Sequence, residues 1–178
     1  KYKNPEGIRT MDKFPTNSEG EKNKYDSLKE VLFDGSASLE ETIDQLMEWD
    51  QSTLSRDASD GNLKFLHDPQ IVEYISQYPE VHERYHGFLS FTEFHVAQRL
   101  AANNSAEATD HFRKALESAR VDQSDTNSSW AAYVEGSLLY MQDKEIPEEL
   151  IAKVGSSRNA QILRNFNAGL KERGTSSY

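Results

Sequence analysis

Phe91-Thr-Glu-Phe94-His-Val-Ala97-Gln-Arg-Leu100 places an aromatic, an aromatic, a small residue and a leucine at three-residue intervals. Trp130-Ala-Ala-Tyr133-Val-Glu-Gly136-Ser-Leu-Leu139 repeats the series 39 residues later. A weaker copy, Leu163, Phe166 and Gly169, follows after another 33. Large side chains followed by a small one at helical spacing let two helix backbones approach closely. Recurrence at this period predicts stacked helical units. Such arrays usually bind other macromolecules and seldom carry out chemistry.

Working outward from the first copy, residues 80–102 read as one long helix ending at Asn103-Asn104. Ser105 caps the next, with Ala108, Phe112, Ala115 and Leu116 inward, as far as about Val121. Residues 122–128 form a polar loop, and a helix carrying the second copy runs to about Met141. Ile146-Pro147 starts a short helix to Val154, and Ser156 or Ser157 caps a last one to about Arg173.

Upstream, a helix spans about Asn23–Phe33 and ends at Asp34-Gly35, glycine supplying the left-handed cap. Ser38-Leu-Glu-Glu41 is a capping box opening a helix to about Trp49, with Leu39, Ile43, Leu46 and Met47 as its apolar stripe. Residues 50–62 are rich in Ser and Asp and read as a long polar loop, a place for a hinge. Asp68-Pro69 pairs an N-cap with proline at the first helical position, and Pro79 breaks that helix. No segment alternates with period two, so no strand is predicted. The expected architecture is all-α. It comprises an irregular arm over 1–22, an acidic helical region over 23–79 and a repeat region over 80–178.

A second pattern lies between the aromatic series. Ala108, Phe112 and Ala115 are small, aromatic and small, four and three residues apart; Pro147, Ile151 and Val154 stand 39 residues further on. Ala97 and Gly136 hold the small position of the preceding helices. On these residues the stretch from Phe91 to Gly169 resembles tetratricopeptide-like repeats. The resemblance implies antiparallel helical hairpins stacked as a short array. It also implies a concave groove, lined by first helices, that binds peptides or partner helices. The period of 39 exceeds that family's usual length of about 34, because the loop at 122–128 is long.

Composition narrows the partner classes. The chain has 178 residues, 36% of them hydrophobic, with mean hydropathy −0.79 and net charge −10. Residues 1–24 carry +2, residues 25–80 carry −10 and residues 81–178 carry −2. Nucleic acid is not an expected partner, since neutralising phosphates needs a basic surface. The acidic middle suits a basic protein or peptide, or serves as a solvated face. There is no cysteine, so no disulfide or thiolate metal site is expected, and the compartment stays open. No apolar run reaches the length of a membrane span. Starting at Lys1 rather than Met, the chain reads as a processed form, a fragment or a renumbered one.

One string carries a chemical motif. His82-Glu83-Arg84-Tyr85-His86 matches H-E-x-x-H, in which two His on one helix face hold zinc and the Glu activates water. Glu107, 21 residues past His86, is the candidate third ligand. Pro79-Glu80 before the motif and the charge of Arg84 within it are unfavourable, and no second E-x-x-H completes a di-iron site. No phosphate-cradling or nucleophile-elbow motif occurs. The expected function is therefore a non-catalytic module that binds a protein or peptide, with no cofactor and no metal. A zinc-dependent hydrolase centred on His82, Glu83 and His86 is the alternative. His95 and Arg99, four apart and off the Phe91/Phe94 stripe, are the candidate binding residues, extended by Glu135 on the next first helix.

Overall fold

The computed structural model describes residues 21–52, 56–121 and 125–175. Among these, every regular element is helical. The elements are α1 (Glu21–Phe33), α2 (Leu39–Ser52), α3 (Arg56–Leu66), α4 (Pro69–Ser76), a 3-10 turn (Pro79–Val81), α5 (His82–Leu100), α6 (Ser105–Ala119), α7 (Asp125–Met141), α8 (Glu148–Ala152) and α9 (Ser157–Thr175). The expected arm lies outside the described residues as far as residue 20, and so do residues 122–124 of the expected loop. Among the described residues no helix is long and apolar enough to cross a membrane.

The helix ends follow from local chemistry. Gly35 closes α1 at φ +81°, where a side chain would be strained. The Asp34 side chain accepts from the Ser36 amide at 2.7 Å, and its bonds to Ser36 hold that carboxyl below the usual range. Ser38 Oγ accepts from the Glu41 amide at 3.1 Å, the forward half of a capping box. Asp68 accepts from the Gln70 amide at 2.8 Å with Pro69 opening α4. Asn104, rather than Ser105, caps α6, accepting from the Glu107 amide at 3.2 Å. At the end of α7, Asp143 takes φ +55°, and the Lys144 amide reaches back to the Leu139 carbonyl at 2.9 Å.

The polar loop expected over 50–62 is a correction. α2 runs on to Ser52, and α3 occupies the stretch from Arg56. The apolar residues of α3 (Leu63, Phe65 and Leu66) fall only in its last turns, so a composition window sees Ser and Asp and no stripe. Asn62 completes the helix's anchorage from a fully buried position. Its amide donates to the Leu46 carbonyl at 2.9 Å and accepts from the Tyr25 hydroxyl at 2.7 Å, joining α1, α2 and α3. Gly61 is there for proximity: a Cβ would stand 2.5 Å from the Tyr25 hydroxyl oxygen.

The chain divides into two compact units between Tyr85 and His86; the composition places the change of region at residue 80. In the first unit α1 packs on α2 and α3, and α3 on α2 and α4. Lys29 of α1 pairs with Asp68 at 2.9 Å, and one turn further Phe33 meets Tyr74 at 5.6 Å between ring centroids. These two contacts align α1 with α4. Tyr25 meets Trp49 edge-on at 5.4 Å, and the Lys24 ammonium sits 3.9 Å over the Trp49 ring.

In the second unit one core joins α5, α6, α7, α8 and α9. Phe94 is its aromatic centre, with ring centroids 5.5 Å from Phe112, 5.0 Å from Trp130 and 5.4 Å from Tyr133. Ala97, Ala108, Ala115 and Leu163 are fully buried in or beside it. The extended link into α8 is clamped by Asn167 of α9, which accepts from the Ile146 amide at 2.8 Å and donates to the Ile146 carbonyl at 2.9 Å.

Gly136 marks a close approach between α7 and α9. A Cβ there would lie 2.8 Å from both terminal methyls of Leu163. Gly136→Leu is expected to destabilise by about 2–3 kcal/mol through overpacking, lowering the thermal midpoint by roughly 5–10 °C. Gly136→Ala should be milder. The Leu163 methyls are the mobile end of that side chain, and alanine recovers up to about 1 kcal/mol of helix propensity. An unshifted midpoint for the leucine variant in a thermal melt would remove the close approach from the fold.

Candidate functional site

The aromatic series does not lie on one straight face. Each three-residue step turns the helix by 300°, so successive members drift by about 60° around the axis. In α5 the series therefore runs from the exposed Phe91, through buried Phe94 and Ala97, to half-buried Leu100. In α7 Trp130 is half-buried, Tyr133 and Gly136 are buried and Leu139 is half-buried. Of the Phe91/Phe94 stripe only Phe94 faces the core; Phe91 is 39% exposed.

Phe91 is held in place at the rim. Its ring meets His95 edge-on at 4.2 Å and leans on Trp130 at 6.1 Å. Trp130 is fixed in turn: its indole N–H donates to Ser90 Oγ at 2.8 Å, and the Ser90 hydroxyl donates to the Ala115 carbonyl at 2.6 Å. The rim thus has a rigid aromatic support drawn from α5, α6 and α7.

Of the predicted site residues, His95 and Arg99 are both half-buried and share one side of α5 by their four-residue spacing. His95 is engaged by the Phe91 and Phe94 rings. Glu135 of α7 is tied to Arg120 at the end of α6, 3.2 Å away, with both side chains partly solvated. A carboxylate with a guanidinium beside it offers a partner cation less than an unpaired one would. The pair links the end of α6 to α7.

A pair that spacing did not reveal lies deeper. Glu93 of α5 is 1% exposed, and its carboxylate stands 2.5 Å from Nδ1 of His111 on α6. It is a structural bridge between neighbouring helices, with the imidazole only slightly accessible. The residues lie 18 apart, so no local pattern flags them.

The H-E-x-x-H string is committed elsewhere. His82 Nε2 is 2.8 Å from the Ile75 carbonyl, which fixes that nitrogen as a donor rather than a metal ligand. Arg84 pairs with Asp44. Tyr85 is buried with its hydroxyl donating to the Leu66 carbonyl at 2.6 Å, and burial pushes its phenol up to about 12. Glu107, the third-ligand candidate, has its carboxylate bonded to the Asn104 amide at 2.8 Å in the cap of α6. Among the described residues no three His, Asp or Glu side chains are gathered so as to hold a metal ion.

The first unit presents two surface features. A cleft of about 490 Å³ lies along α1, α3 and the start of α4, lined by Tyr25, Asp26, Lys29, Gly61, Lys64, Phe65 and Asp68. Beyond it the ends of α1 and α4 bear a row of rings. Phe33 meets Tyr74, and Tyr74 meets Tyr78 at 4.8 Å. Phe33 is 43% and Tyr78 40% exposed. Partial burial, with Tyr78 beside it, raises the Tyr74 phenol above its ordinary value. Compared with known proteins, the chain matches no family model, no curated protein and no solved structure.

Proposed function

We propose that the chain is a non-catalytic, helical-repeat module that binds a protein or peptide through the α5 face bearing Phe91, His95 and Arg99. The observation that carries this reading is Phe91, a large ring left 39% exposed yet packed against His95 and Trp130. A rigid, partly exposed aromatic side chain gives contact area at little entropic penalty on binding, and interface cores favour such anchors. Arg99 on the same side supplies a planar fork for a partner carboxylate.

The repeat reading draws support from burial. In both α5 and α7 the second and third members of the series are buried and the fourth is half-buried, 39 residues apart; the first is exposed in α5 and half-buried in α7. The small residue of α7, Gly136, receives Leu163 from α9. Stacked hairpins of the tetratricopeptide-like kind use that geometry.

The test is a pull-down with immobilised full chain, identification of what is retained, and affinity measurement on Arg99→Ala and Phe91→Ser. Loss of a two-pronged charged contact is expected to weaken binding by roughly 1.5–3 kcal/mol, with the thermal midpoint unchanged. Unaltered affinity in both variants would take the α5 face out of the site.

A further inference from the structure

We infer that the first unit carries a separate docking surface for an arginine-rich segment of another protein, formed by the ring row Phe33, Tyr74 and Tyr78 and the carboxylates around it. The row is contiguous, spans two helices and is exposed at both ends. Glu30 lies one turn before Phe33 on α1, Asp34 follows Phe33, Glu73 adjoins Tyr74, and Glu80 follows Tyr78 by two residues; all four are exposed. Lys29, one turn before Phe33 on α1, is already paired with Asp68.

Charge complementarity decides the occupant. Residues 25–80 carry a net charge of −10, so a second copy would bring like charges together, whereas a basic segment is drawn in. Rings plus carboxylates favour arginine over lysine. A guanidinium stacks on an aromatic face while its edge hydrogen-bonds a carboxylate, and an ammonium does only one of these well. The inference extends the binding-module reading to a second surface and rests on its premise that the partners are proteins. It uses none of the residues of the α5 face, so each surface fails or stands by its own variants.

A fluorescein-labelled peptide of alternating arginine and leucine, titrated into the full chain and followed by anisotropy, is the probe. It should bind, weaken steeply with added salt, and bind more tightly than its lysine counterpart. Tyr78→Ser and Phe33→Ser are each expected to weaken it about tenfold, one stacked cation's worth. Glu30→Gln combined with Glu73→Gln should weaken it comparably, and Arg99→Ala should leave it unchanged. Circular dichroism checks that each variant keeps its helix content. Undiminished binding in both ring variants, or equal binding of the lysine peptide, would overturn the proposal. So would self-association of the chain, seen by sedimentation and abolished by Tyr78→Ser, which would assign the row to a second copy.

Discussion

Phe94→Ala should be the most damaging single truncation in the second unit, lowering stability by about 3–5 kcal/mol. Phe94 is 3% exposed and touches the rings of His95, Phe112, Trp130 and Tyr133, so its removal opens a cavity between α5, α6 and α7. The surrounding groups are aromatic and held by bonds such as Trp130 to Ser90, which limits how far they collapse into the space. Denaturant unfolding should show a lower midpoint with an unchanged slope. Phe91→Ala is the internal control, with an expected loss of only about 1 kcal/mol, because that ring already meets water. Equal losses for the two variants would contradict the rotation of the aromatic series from rim to core.

The second large effect is expected at the Glu93–His111 bridge. His111→Leu withdraws the imidazole 2.5 Å from a carboxylate that has almost no access to water. Weakening the compensation of a buried charge costs about 3 kcal/mol or more, whereas replacing both members by apolar groups is often nearly neutral. The double variant Glu93→Leu/His111→Leu should therefore be more stable than His111→Leu alone, despite carrying one more substitution. A double-mutant cycle in urea measures the difference. A single variant as stable as the double would show that losing the imidazole leaves Glu93 no worse placed than leucine.

Much of this fold could be read before any coordinates. The caps at Gly35, Ser38 and Asp68 are local chemistry, written in adjacent residues, and all three form. The deep positions Phe94, Ala97 and Gly136 follow from the recurrence of large and small residues. Three things could not be read. Phe91 is exposed because helical rotation accumulates along an i, i+3 series, which a list of apolar positions does not register. α3 was hidden because its packing is concentrated at one end and its buried polar anchor, Asn62, has the composition of a loop. Glu93 and His111 meet across two helices, and nothing in either neighbourhood distinguishes a buried carboxylate from a solvated one. In the candidate site, the shared side of His95 and Arg99 was legible from spacing. The pairing of Glu135 with Arg120 was not, since it depends on how α6 and α7 meet.

The two tryptophans fall one to each compact unit. Trp49 is nearly inaccessible, edge-on to Tyr25 and beneath the Lys24 ammonium; Trp130 is half-buried with its indole N–H bonded to Ser90. Each unit therefore contains its own intrinsic fluorophore, in a different electrostatic setting. Under excitation that selects tryptophan over tyrosine, a Trp130→Phe chain emits from the first unit and a Trp49→Phe chain from the second. Emission colour and quenching then report the opening of either half by itself, without any attached dye.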